Sequence, residues 1–253
     1  AFGSAHRAHT STVTLAEYFP NAAAPGLLMA KEMKAFAQVL ENPKHPFFAL
    51  IGGAKISSKI GVLQALSKRV DGMVIIGAMA HTFLKALGIS VGASLVEEEF
   101  VEEAKAIMQA CKERGIFLLL PKDEVAVKEG EIIVVDFSEG GIPEGFQGLD
   151  IGPKTVAEIR EVVKDAGTLF WNGPAGVFED ERFSKGTEEV GKALAESCAF
   201  TIVGGGDSVA ALNKLNLAEK MAHISTGGGA SIELIEKGTL PGIAILNCKI
   251  NSR

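Results

Sequence analysis

Cysteine is scarce in this 253-residue sequence: Cys111, Cys198 and Cys248 are widely separated, odd in number and free of any C-x-x-C spacing. That excludes a disulfide framework and the usual zinc sites, and it fits a reducing cytoplasm. Long apolar runs are also missing. Stretches such as 47–51 and 73–76 end in glycine well short of the ~20 residues of a membrane span, so no transmembrane segment is expected. Positive charge is in deficit, since 25 Lys+Arg against 31 Asp+Glu leave a net charge of −6. No sequence-wide basic field exists for nucleic acid or an anionic membrane, and an anionic ligand must find its positive charge locally. No initiator methionine precedes Ala1, and no charged leader runs into an apolar core, so a fragment or a processed chain is expected. The G-x-x-x-x-G-K-[ST] phosphate loop and the G-x-G-x-x-G dinucleotide fingerprint are both absent, which removes the main support for the two common nucleotide folds.

What the chain does have is a globular composition, 47% hydrophobic and 22% charged, and an excess of glycine. Glycine supplies 29 of 253 residues, about 11% against a usual level of roughly 7%. Short apolar runs alternate with amphipathic stretches, the punctuation of a βαβ chain. Strands are predicted at 47–51, 73–76, 116–120, 132–135, 168–171, 200–203 and 242–246. Several are apolar throughout, as expected when helices cover both faces of a parallel sheet. Helices are predicted at 31–40, 57–70, 97–114, 156–165, 184–197 and 208–215; Glu97, Glu98 and Glu99 would open the third, and Lys112 and Arg114 close it before Gly115. The fold expected is α/β, a doubly wound, mostly parallel sheet in a Rossmann-like three-layer sandwich. Residues 26–246 form its domain. Residues 1–25, with five Ser or Thr, two prolines and no periodicity, read as a loop plus linker belonging to something upstream. Residues 247–253 form a tail.

In open parallel sheets, ligands bind beyond the carboxyl ends of the strands, and the glycines cluster there. Ile51-Gly52-Gly53-Ala54-Lys55 leaves a strand and enters a helix carrying Lys59, four residues on, so both ammonium groups are expected on one helix face toward neighbouring phosphates. In Gly204-Gly205-Gly206-Asp207-Ser208, backbone amides and a helix start suit an anion. Asp207 reads equally as a Mg²⁺ ligand beside polyphosphate or as a helix N-cap. Ser225-Thr226-Gly227-Gly228-Gly229-Ala230-Ser231 could stabilise a transferring phosphoryl group through its amides. Three such clusters at strand ends argue for one polyphosphate ligand. In Trp171-Asn172-Gly173-Pro174-Ala175-Gly176-Val177-Phe178-Glu179, Glu179 could accept ribose hydroxyls while Phe178 borders a base slot. At the amino end, His6, Arg7 and His9 make the densest local positive potential, and Arg7 suits bidentate recognition of carboxylate or phosphate.

The order and spacing of 1–9 (AFGSAHRAH), Gly52 to Lys59, Trp171 to Glu179, Gly204 to Ser208 and Ser225 to Ser231 resemble the phosphoglycerate kinase family over nearly the whole chain. The resemblance implies the second, nucleotide-binding domain of a two-domain hinge-bending kinase, preceded by the end of its first domain. It implies reversible phosphoryl transfer between MgATP and the carboxylate of 3-phosphoglycerate, giving ADP and 1,3-bisphosphoglycerate in glycolysis. By motif position, Lys59 resembles the nucleotide-phosphate lysine and Lys55 the lysine that follows the transferred group. Glu179 resembles the ribose ligand, Asp207 the Mg²⁺ ligand and Ser208 a phosphate-contacting helix start. Gly77 and Gly148 resemble adenine-pocket positions. The catalytic backbone positions would be Gly204, Gly205, Gly227 and Gly228, with Gly173 and Gly206 on the nucleotide; His6 and Arg7 match part of the phosphoglycerate patch, and Arg7 counts with Lys55 among the catalytic side chains. Most of the family's first domain is absent, so this chain alone is expected to bind MgADP or MgATP with negligible turnover. A cytoplasmic monomer is expected, with no nucleic-acid or membrane partner. The rivals are a non-catalytic nucleotide-binding module and a nicotinamide-dependent oxidoreductase, the latter disfavoured by the missing fingerprint.

Overall fold

The computed structural model describes residues 1–19 and 22–246, so the expected tail 247–253, with Cys248, lies outside the described residues. The strands are β1 (Phe47–Ile51), β2 (Gly72–Ile75), β3 (Phe117–Leu119), β4 (Asp123–Lys128), β5 (Glu131–Asp136), β6 (Gln147–Ile151), β7 (Thr168–Asn172), β8 (Phe200–Gly204) and β9 (His223–Ile224). The α-helices are α1 (Leu15–Glu17), α2 (Leu27–Leu40), α3 (Ile60–Leu66), α4 (Met79–Ala86), α5 (Val101–Glu113), α6 (Pro153–Lys164), α7 (Lys185–Glu196), α8 (Gly206–Lys214), α9 (Gly229–Lys237) and α10 (Pro241–Ala244).

Six strands form one parallel sheet in the order β3-β2-β1-β7-β8-β9. Successive side chains point to opposite faces, and each face meets its own helices. Phe47, Ala49, Ile51, Met73, Ile75, Phe170 and Ile202 pack with Phe36, Leu63, Phe83, Ile107 and Leu234. Leu50, Val74, Ile76, Leu169, Trp171 and Val203 pack with Ile159, Val190, Leu194 and Leu212. Strands apolar on both sides are therefore what this α/β sandwich requires, as expected.

The run at 132–135 belongs instead to a separate antiparallel sheet, β5-β4-β6. Its β4–β5 hairpin closes at Glu129-Gly130, where both residues have positive φ (50° and 90°), the geometry that matches strand twist in a two-residue turn. Asp123 of β4 then starts α6: Oδ2 accepts Lys154 N–H (2.9 Å) and Oδ1 accepts Thr155 N–H (2.8 Å), replacing a local N-cap.

The ends of the chain depart from expectation. In the segment 1–25, expected as loop plus linker, 10–17 is helical, and Phe2 is fully buried, its ring tilted against that of Phe36 with centroids 5.7 Å apart. The strand expected at 242–246 is a helix, α10. Pro241 sets the first helical φ, and Gly242 N–H donates to Ala5 O at 2.8 Å, so the apolar run docks on the amino-terminal segment rather than on a sheet.

Candidate functional site

Strands β1, β7 and β8 run in register and release their loops at one edge of the sheet. Gly52 N–H donates to Asn172 O (2.8 Å) and Gly53 N–H to Pro174 O (3.2 Å), so two of the loops are joined backbone to backbone. A Cβ on either Gly52 or Gly173 would overlap the other loop, and Gly173 sits at φ +96°. Glycine is demanded there by close approach.

These loops, with those preceding α8 and α9, line a cleft of about 370 Å³. Lys55, Lys59 and Asp207 face it together with Gly173, Gly205, Gly206 and Gly228. The amino ends of α8 and α9 open into it, neither capped by a side chain, with their positive dipole ends toward the cleft. The lysines reach it differently from expectation. The helix begins only at Ile60; Lys55 lies in the loop and Lys59 is the N-cap, so they share the cleft but no helix face. The Gly53–Lys59 turn must bend around the β7 loop before a helix can start.

Lys59 Nζ donates to Asn172 Oδ1, a contact between residues 113 positions apart. Asn172 is buried at the end of β7, and its Nδ2 has no hydrogen-bond partner among the described residues. A polar residue closing the apolar run 168–171 was the signal available. Burial pushes the Lys59 ammonium down to about 8, with Asp207 pulling the other way. Asp207 is exposed and caps nothing, because the N-cap of α8 is Gly205. Among the described residues no cluster of three His, Cys, Asp or Glu could hold a metal. A magnesium ion that keeps its waters and takes phosphate oxygens with one carboxylate is compatible with Asp207 alone.

The remaining expected residues lie around the cleft rather than on its lining. Gly204 ends β8, and Ser208 is fully buried, its Oγ accepting Gly173 N–H at 2.7 Å. Gly227 rests on the Phe2 ring, and Gly77 (φ +72°) backs onto Gly53. Gly148 lies within β6 against the buried His81–Glu124 pair (2.8 Å). Glu179 is exposed at the far end of its loop. Beneath that loop Asp150 accepts Gly186 N–H (2.7 Å) and Ile151 N–H (2.9 Å); burial raises its carboxyl to about 7, against those two donors, with Glu124 and Glu188 adding negative charge. Arg7 is exposed with Nε 3.4 Å from His6 Nε2, on the segment whose Phe2 supports Gly227. A larger cleft of about 470 Å³, lined by residues such as Leu84, Met108 and Leu118, contains none of the glycine loops. No helix among the described residues is long and apolar enough to cross a membrane.

Comparison with known proteins narrows what this edge of the sheet is. The family model for phosphoglycerate kinase matches residues 1–238. A phosphoglycerate kinase of Clostridium perfringens is 54% identical over 250 residues, which are 98% of this chain and 63% of that protein. One of Clostridium tetani is 50% identical over 253 residues, with 98% and 62% covered. The solved structure of phosphoglycerate kinase from Coxiella burnetii matches with a TM-score of 0.91 at 41% identity, covering 97% of this chain and 64% of that one. That from Pyrococcus horikoshii gives 0.80 at 32% identity, covering 97% and 62%. The chain thus spans less than two thirds of the length of these relatives. With sequence and backbone agreeing from the amino-terminal segment through the third glycine loop, the chain belongs to the phosphoglycerate kinase family.

Proposed function

We propose that this chain supplies the nucleotide half of a phosphoglycerate kinase, which transfers a phosphoryl group reversibly between MgATP and the carboxylate of 3-phosphoglycerate. The observation that carries the reading is the cleft in which Lys55, Lys59 and Asp207 meet glycine loops and two helix amino ends. Two cations and a set of backbone donors suit a polyphosphate in a chain of net charge −6. Lys59 holds the nucleotide phosphates and Lys55 the group in transit. Amides of Gly205 and Gly228, which line the cleft, stabilise the charge that develops on the transferring phosphoryl oxygens, with the buried Gly204 and Gly227 supporting those loops from behind. Bound at Asp207, Mg²⁺ would neutralise phosphate charge. Gly206, Ser208 and Gly173 shape the phosphate end, Glu179 takes the ribose, and Gly77 and Gly148, each packed closely against neighbouring segments, set the backbone that borders the base. The acceptor carboxylate is the nucleophile, so the protein's work is orientation and charge compensation.

Residues 26–246 are the nucleotide domain in this reading, and 1–25 the end of a preceding domain whose His6 and Arg7 form one edge of the phosphoglycerate site. Leu15, Tyr18, Phe19, Leu27 and Leu28 are all more than half exposed, an apolar face suited to packing against that domain. A reducing cytoplasm is the compartment that fits.

Calorimetry tests the site. Asp207→Ala is expected to weaken MgATP binding about tenfold while leaving metal-free ATP little changed; equal affinities with and without Mg²⁺ in both proteins would remove the metal role, and tighter binding of NADH than of MgATP would remove the nucleotide reading. Lys59 adds a pH dependence. Its free-state value of about 8 leaves it charged at pH 7 and neutral at pH 9, so MgATP affinity should fall about tenfold over that range. Lys59→Arg, charged throughout, should flatten the profile; a wild-type profile already flat would show that Lys59 does not meet the phosphates.

A further inference from the structure

Glu97 was expected to open a helix with Glu98 and Glu99, yet its backbone stays extended (φ −97°, ψ 92°) and the first helical turn begins at Glu98. Contacts from distant parts of the chain hold it outside. Its carboxylate takes both donors of Ser57, the amide at 3.0 Å through Oε2 and the hydroxyl at 2.6 Å through Oε1. Its own amide donates to Thr82 Oγ1 of α4 at 3.2 Å. Ser57 stands midway between Lys55 and Lys59. Ser58 Oγ to Lys55 O (2.9 Å) and Lys59 N–H to Ile56 O (2.8 Å) are internal to the turn and set its shape. Its place is held by the buried Ile56 side chain, by Lys59 Nζ on Asn172 and, at the residue between the two lysines, by the two-pronged carboxylate of Glu97. The segment bearing Glu97 is itself fastened, since Ser94 Oγ accepts Gly148 N–H (2.9 Å) and Leu95 O lies 3.2 Å from His81 Nδ1.

The geometry points to Glu97 as a positioning residue for the two cleft lysines, acting through Ser57 to set where Lys55 and Lys59 meet phosphate oxygens. This rests on the nucleotide reading of the cleft. Glu97 is not part of the cleft wall, so it acts on the lysines and not on a ligand. Burial disfavours its charge, but the Ser57 hydroxyl and amide outweigh that and hold the carboxyl below its ordinary range, with Lys55 contributing. The acceptor is therefore ionised at neutral pH.

The test titrates the chain and its Glu97→Ala, Ser57→Ala and Ser57→Thr variants with MgATP and, by displacement, with adenosine, and follows amide hydrogen exchange of residues 56–60. Glu97→Ala should weaken MgATP about tenfold and leave adenosine within about twofold. Ser57→Ala should lose about threefold, and Ser57→Thr, which keeps the hydroxyl, should restore the affinity. Exchange across 56–60 should accelerate in Glu97→Ala. Parallel losses for MgATP and adenosine would overturn the proposal, as would unchanged MgATP affinity in the variants. If the unmodified chain binds neither ligand, the reading of the cleft fails and exchange alone decides: faster exchange supports the clamp, and unchanged exchange sinks it. Should Glu97→Ala not fold, the Ser57 pair carries the same comparison.

Discussion

Glu32→Ala should lower the unfolding free energy of this chain by about 2–3 kcal/mol, the scale of depriving a buried hydrogen-bonded group of its charged partner. Glu32 of α2 has no exposed surface. Its Oε2 lies 2.7 Å from His223 Nε2, and its Oε1 accepts Thr226 N–H at 2.6 Å and Thr226 Oγ–H at 2.8 Å. Alanine would leave the buried His223 ring nitrogen without its partner, hand the two Thr226 donors to solvent, and open a void beside Phe36, whose ring meets His223 edge-on. Because Thr226 opens the third glycine loop, that loop should loosen as well. Burial opposes ionisation of Glu32, but the His223 and Thr226 bonds outweigh it and lower its pKa. Its contribution is thus complete above the ordinary value of 4.5 and is lost as pH falls through the native value. The variant should accordingly lose less stability than the wild type on acidification. Urea unfolding at pH 7 and pH 4 measures both effects; a loss under about 1 kcal/mol at pH 7 would show that water replaces the carboxylate without penalty.

Gly173→Ala should remove nucleotide binding altogether, a loss of at least ~100-fold, with a measurable drop in thermal stability. The added methyl would overlap the carbonyl of Gly52, and φ +96° is strained for any L side chain. Relief requires the two loops to part, which breaks the Gly52–Asn172 and Gly53–Pro174 hydrogen bonds and moves the turn carrying Lys55 and Lys59. Gly206→Ala is the contrast: a Cβ there meets nothing within 4 Å in the first turn of α8, so the variant should keep its stability. Calorimetry with MgATP and a melting curve on each variant make the comparison; full affinity in Gly173→Ala would mean that loop contact does not define the cleft.

The parallel sheet was largely legible because burial on both faces forces near-continuous apolar runs, and 47–51, 168–171 and 200–203 are such runs, broken only by the buried Thr168 and Thr201. Strands β4 and β6 were not, because Asp123, Glu124 and Asp150 interrupt their apolar pattern with carboxylates that serve buried hydrogen bonds. The run at 242–246 is too short for periodicity to distinguish helix from strand, and its fate depends on Ala5, more than 230 residues away. The glycine clusters were legible as strand-end loops, since glycine suits a backbone that turns from strand into helix, and parts of all of them line one cleft. The contacts of Asn172 and Glu97 were not legible because their partners, Lys59 and Ser57, are distant in sequence.

Local order therefore belonged to the amino-acid sequence alone: apolar runs, helix starts and glycine-rich turns depend on residues a few positions apart. The tertiary structure decided which turns share a cleft, how two lysines meet without sharing a helix face, and that Phe2 of a segment read as loop supports the third glycine loop. Those outcomes are set by sheet order and side-chain packing between distant segments, where the energy lies in contacts that no local pattern encodes.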